Sequence, residues 1–220
     1  MRRILFSSLA FLFLWVSSCS TVTPPPAPEV VSVYSSPFTQ TWLAELYGCA
    51  GSDATLVRVD DAHAADISLQ IGEPEFLSGF AYQIDEEEIL IATNRASPIR
   101  NLTLEQTQAL FMGLGDPSVQ VWVYASGAEA QKVFDQFVME GRSVTPSAKA
   151  AASPQQMSDV LVSELNAVGV LPRHWMAGDP STGSGQVLQD VYSAATVPVL
   201  ALTNVEPQGV VKELIGCLQK

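Results

Sequence analysis

Short apolar runs bounded by turn residues alternate with stretches whose apolar positions recur every three or four residues, from about residue 30 to the end of the chain. The short runs predict strands over 30–35, 55–59, 67–71, 89–93, 119–124, 168–171 and 197–202. Their β-branched content and few polar positions suit strands covered on both faces. Helical spacing of Phe38, Trp42, Leu43 and Leu46 predicts a first helix that Gly48 terminates. Three further helix starts carry the capping-box pattern: Thr103 with Gln106, Ser126 with Glu129, and Ser153 with Gln156, the last with Pro154 at the first helical position. A final helix follows Pro207 and buries Val211, Leu214, Ile215 and Leu218. Strands alternating with helices predict an α/β fold on a largely parallel sheet with crossover helices. Segment 178–186 (GDPSTGSGQ) reads as a loop, and no internal repeat is evident.

The front of the chain follows another logic. Arg2 and Arg3 precede an apolar run over 4–16, well short of the roughly 20 residues a spanning helix needs. This is the layout of an export signal, and residues 1–18 are assigned to it. The run ends in Val16-Ser17-Ser18-Cys19, which resembles the lipobox of bacterial lipoproteins, with Cys19 as the lipidated residue. Ordinary cleavage after small residues, leaving Cys19 as a spare thiol, is the alternative. Residues 19–29, with four prolines and almost no large apolar groups, predict an extended spacer. The folded domain then occupies 30–220. The expected location is the cell envelope, exported and lipid-anchored to a membrane, facing outside the cytoplasm.

Charge narrows the function. Of the 220 residues, 47% are hydrophobic, enough for a folded core, while 11 Lys+Arg face 23 Asp+Glu for a formal charge of -12. Loss of residues 1–18 takes Arg2 and Arg3 with it and brings the charge to -14. An acidic surface without a basic block argues against a nucleic-acid partner.

No residue pattern argues for an enzyme, a cofactor or a metal. His63 and His174 are far apart, and neither has a Cys or His at ligand spacing. Asp85-Glu86-Glu87-Glu88 lacks the oxygen spacing of a calcium loop and reads as a solvated turn. Ser181 to Gly185 lacks the ending of a phosphate-binding loop. Cys49 and Cys217 fit a disulfide in an oxidising compartment, or two buried thiols. Ser126-Gly127-Ala128-Glu129, between a strand and a helix, fits a plain capping box; the alternative is an anion held by free N–H groups.

The order of segments carries a resemblance. Residues 65–69 (ADISL), 88–94 (EILIATN), 98–106 (PIRNLTLEQ) with Leu110-Phe111-Met112-Gly113, 121–137, 166–172 (NAVGVLP) and 197–201 (VPVLA) are together similar to the phosphate-type substrate-binding proteins of ABC transporters. The resemblance implies a two-lobed periplasmic-binding-protein-like fold (type 2), each lobe a doubly wound sheet with flanking helices. Lobe 1 would take about 30–93 and 197–220, and lobe 2 about 94–196. Both cysteines then fall in lobe 1, which favours the disulfide. It also implies a cleft lined by Ser35, Ser36 and Phe38 from the first turn, Asp66 and Ser68 from a lobe 1 strand, and Ser126 and Gly127 from lobe 2. The implied partners are a small-molecule or oxyanion ligand, an ABC permease, and the membrane through the lipid; the chain would act as a monomer. Ala128 stands where the family has threonine and Trp122 where it has arginine, so two donors are missing and a ligand preference other than tight phosphate binding is expected. The alternative function is a surface lipoprotein that uses a degenerate binding-protein fold as an interaction or structural module.

The anchoring expectation has a direct test. Cys19→Ala should release the protein from membranes or block its processing, read by membrane fractionation and gel mobility. Unchanged partition and mobility would rule out the lipoprotein reading.

Overall fold

A computed structural model describes residues 27–176 and 187–220. The export signal, Cys19, the spacer up to residue 26 and the predicted loop at 178–186 lie outside the described residues. Eight strands form one sheet in the order β2-β1-β3-β8-β4-β7-β5-β6. They are β1 (Glu29–Ser35), β2 (Ala54–Arg58), β3 (Ile67–Ile71), β4 (Phe80–Asn94), β5 (Gln120–Tyr124), β6 (Lys149–Ala151), β7 (Ala167–Pro172) and β8 (Leu188–Thr203). Five α-helices flank them: α1 (Gln40–Ala50), α2 (Leu104–Phe111), α3 (Glu129–Phe134), α4 (Pro154–Ser163) and α5 (Gly209–Leu218).

The sheet divides into two lobes joined by its two longest strands. In lobe 1, β1 lies between β2 and β3, all parallel. In lobe 2, β5 lies between β6 and β7, again parallel. Between the lobes β4 and β8 run antiparallel from Phe80 opposite Thr203 to Asn94 opposite Leu188, with register shifts along the way. On its other side β4 meets β7 only from Ile89 to Thr93, and β8 meets β3 only from Ser68–Ile71 opposite Val199–Leu202. Each long strand is therefore interior in one lobe and an edge in the other.

That division explains what hydrophobicity predicts and what it misses. The interior halves, 89–94 and 197–203, are the apolar runs; Ile89, Leu90, Ile91 and Val199 are fully buried. The edge halves mix polar and apolar positions without a continuous apolar run, so hydrophobicity does not predict them as strand. Acidic residues on an edge are a familiar device against pairing with other chains. The run from Asp85 to Glu88 is thus not a turn: it lies within β4, and all four of its carboxylates have donors, Glu86 from Gln83 Nε2 at 3.3 Å. Asp85 accepts from Trp42 Nε1 at 2.9 Å. Glu87, 4% exposed, pairs with His174. Glu88 pairs with Arg173 and accepts from Ser193 Oγ at 2.6 Å, and the Arg173 hydrogen bond is the main reason its carboxyl is held below the usual range. The short β6, three residues long, also went unpredicted.

Helix boundaries follow tertiary contacts where these compete with local signals. Gly48 does not stop α1; the helix continues to Ala50 and ends at Gly51, whose φ of 52° is one that glycine tolerates. Ala50 is buried and Cys49 is bridged to Cys217 of α5, with the two Cα atoms 6.0 Å apart. These contacts outweigh the cost of about 1 kcal/mol for a glycine inside a helix. The Thr103–Gln106 capping box is present. At α4, Ser153 accepts from Gln156 N, while Gln156 Oε1 reaches Ala152 N in place of the cap residue's own N–H.

The disulfide joins the first helix to the last. Cys217→Ser, or reduction of the native protein, should lower unfolding free energy by about 2–5 kcal/mol. Denaturant melts with and without reductant measure this; coincident curves and two titratable thiols in the folded protein would refute the bridge.

Candidate functional site

The loop after β1 is tied down from within by short hydroxyl side chains. Ser35 Oγ lies 2.9 Å from Thr39 Oγ1, and Ser36 Oγ accepts from Phe38 N at 3.2 Å. Arg58 donates to the Ser35 carbonyl at 3.2 Å. These bonds leave Ser36 facing lobe 2, and its hydroxyl donates to Glu129 Oε2 at 2.9 Å. The same oxygen accepts from the backbone N–H of Ile71, at the end of β3, at 3.3 Å. One carboxylate from the start of α3 is thus held by two segments of the opposite lobe.

Aromatic contacts close the rest of the interface. Phe38 meets Tyr124 of β5 edge to face, with centroids 5.0 Å apart. Trp42 meets His174 in the same way at 5.0 Å. Such pairs contribute about 0.5–1.5 kcal/mol beyond the area they bury. Beside the Glu129 contact is a cavity of about 440 Å³. Lobe 1 lines it with Tyr34, Ser68 and Gln70, lobe 2 with Gly127, Lys132 and Gln136, and β8 with Thr196. Its charged groups are Glu73, Glu129 and Lys132.

The residues expected from sequence separate into groups. Ser36 and Phe38 make interlobe contacts, and Ser68 and Gly127 line the cavity. Ser35 is buried and supports the loop. Asp66 lies before β3, at the end of the strand away from Ile71, where Oδ2 accepts from both the backbone N–H and the hydroxyl of Ser32, at 2.8 and 2.6 Å. Ser126 is exposed and does not line the cavity. Trp122 is buried beneath Lys149, whose Nζ lies 5.0 Å from its ring centroid, and also stands outside the cavity lining.

The capping box at Ser126 does not form. The N-cap is Ala128, without a side-chain hydrogen bond, and Glu129 turns away to Ser36 and Ile71. A local cap contributes about 1 kcal/mol, whereas leaving buried donors unpaired costs about 1–3 kcal/mol each. The distant pair therefore wins. Tyr34, Gln70, Glu73, Glu129, Lys132, Gln136 and Thr196 line the cavity outside the set expected from sequence, where Glu129 enters only as the capping partner of Ser126. Ile71 contributes only its backbone, which no side-chain pattern reports.

No protein-family model matches the chain, and no curated protein matches it. Its likeness is to solved structures. One is a protein assigned as a phosphate ABC transporter substrate-binding protein, with bound phosphate, from Clostridium perfringens. It has a TM-score of 0.69 at 14% identity, covering 86% of this chain and 93% of that one. An ABC-type phosphate transport receptor from Vibrio cholerae gives 0.59 at 16% identity, covering 86% and 93%. The CcmR regulatory domain of Synechocystis in complex with 2-PG gives 0.66 at 10% identity, covering 87% and 96%. Transport receptors and regulatory domains share this architecture, and identities this low speak to fold alone. The fold is the two-lobed, periplasmic-binding-protein-like α/β architecture expected from the sequence, with both lobes on one continuous eight-stranded sheet.

Burial pushes the Glu129 carboxyl up from 4.5 to about 7, against the opposing pull of Ser36, the Ile71 N–H and Lys132. The folded state thus holds this proton more tightly than the unfolded chain. The associated stabilisation is complete below about 4.5 and lost as pH rises through about 7. Thermal melts across that window should show wild type losing stability relative to Glu129→Gln as pH rises. Parallel profiles would show that the carboxyl does not titrate there.

Proposed function

We propose that the chain is a lipid-anchored, extracytoplasmic solute-binding protein that captures a small polar solute between its lobes and presents it to an ABC permease. The observation that carries this reading is the cavity of about 440 Å³, lined from both lobes and from β8 by hydroxyl, amide and a few charged groups. Its size falls in the range of small-molecule sites, and its position lets a ligand couple the two lobes. The neighbours named for phosphate transport support the reading through their fold. Anchoring through Cys19 would keep such a protein at the membrane without a transmembrane helix.

A second reading rests on a different observation. Phe76, Leu77 and Phe80 are 85%, 54% and 43% exposed and lie close together in the chain just before and at the start of β4. A cluster of large exposed apolar groups favours a surface that docks on another protein. In that case the fold serves as an interaction or structural module and the cleft has lost its transport role.

A thermal-shift screen of the purified protein in detergent, with oxyanions, organic acids, amines and sugars, separates the two. A true ligand at about 100 times its Kd should stabilise the fold by about 2.7 kcal/mol, a shift of several degrees. A flat response across the whole screen would favour the interaction module.

A further inference from the structure

Glu129 is the carboxylate that lobe 2 sets into the cleft. Its Oε2 receives two donors from separate segments of lobe 1, the Ser36 hydroxyl at 2.9 Å and the Ile71 N–H at 3.3 Å. Two donors converging on one point from different elements make a receptor for an anionic oxygen. Here the oxygen belongs to the protein itself. Ser36 is buried, and its hydroxyl is oriented by the bonds that bring Phe38 N and Thr39 close to it, so the receptor is built before any solute arrives. The adjoining cavity holds Glu73 as a further negative group and Lys132 as its positive one, with Tyr34, Ser68, Gln70, Gln136 and Thr196 supplying neutral polar surface.

We propose that Glu129 is a tethered anion that fills the oxyanion position of the cleft, so that the cavity rejects negatively charged solutes and admits uncharged or cationic ones. This deepens the solute-binding reading and rests on it. A free oxyanion would have to displace a carboxylate that is covalently held at high local concentration, or sit beside it. Like charges that share one site repel. An amine or a polyol meets no such barrier, because it can donate to the carboxylate oxygen that lobe 1 leaves unused.

The experiment is a calorimetric titration of the full chain in detergent with inorganic phosphate, sulfate and acetate, at mildly alkaline pH where the carboxyl is ionised. Wild type should bind all three weakly or not at all. Glu129→Ala, which empties the position, should bind at least one of them about tenfold or more tightly, as expected when two charge-assisted hydrogen bonds become available. Adding Ser36→Ala should abolish the gain. If Glu129→Ala loses its cooperative melt, Glu129→Ser carries the same expectation, since it also withdraws the carboxylate from Ser36 and Ile71.

Tight phosphate binding by wild type would overturn the proposal, as would a folded Glu129 variant with unchanged affinity for all three anions. The outcome is separable from that of the solute-binding reading. An anion gain in the variant, beside a wild type that no solute stabilises, would uphold the tethered anion and count against solute capture. A wild type stabilised by a sugar or amine, with no gain in the variant, would do the reverse.

Discussion

The antiparallel ladder between β4 and β8 is the constraint on which the rest of the structure depends. Both lobes are parallel three-strand units that would each present an open edge, and the ladder closes both at once by extending one strand further than the other in each direction. The cost is that half of each long strand has a neighbour on one side only. The chain meets that cost with polar residues, and the acidic run of β4 is then drawn into use, fixing Trp42 of lobe 1 through Asp85 and the segment after β7 of lobe 2 through Glu87 and Glu88. Side chains from a single strand thereby hold both lobes in relation to each other.

The cleft is closed by contacts of two kinds with different consequences. The aromatic pairs, Phe38 with Tyr124 and Trp42 with His174, set the approach of the lobes. Tyr124 is buried, and its hydroxyl has no hydrogen-bond partner among the described residues, so this part of the interface is held by packing. The Glu129 contact is polar, and its carboxyl is raised by burial toward neutrality. One set of contacts positions the lobes, while the other changes with the protonation of Glu129.

How much of this was legible in the sequence depended on how local each determinant was. The interior halves of the long strands, the Thr103 cap and the order of strands and helices are written in patterns a few residues wide, and these led to the fold. The edge halves of β4 and β8 were not visible because an edge strand needs no continuous apolar run. Gly48 misled because its local signal was outweighed by Cys49 and Ala50 packing against distant chain. The site followed the same rule. Ser36, Phe38, Ser68 and Gly127 were placed at the cleft by the family resemblance, but Glu129 was assigned to Ser126, three residues away, when its partners lie at Ser36 and Ile71. Neither Ala128 nor Trp122 lines the cavity: Ala128 is the N-cap of α3 and Trp122 is buried beneath Lys149.

The two lobes also differ in how their chain is spent. Between Asn94 and Leu188, which face each other on the ladder, lobe 2 is one uninterrupted stretch, whereas lobe 1 waits for β8 and α5 before its sheet and its helix pair are complete. Pairings between distant residues are entropically late. On a chain synthesised from its N-terminus, lobe 2 can therefore organise while β1, β2 and β3 still lack the strand that covers their open edge, and the Cys49–Cys217 bond acts as a seal on the last part to assemble.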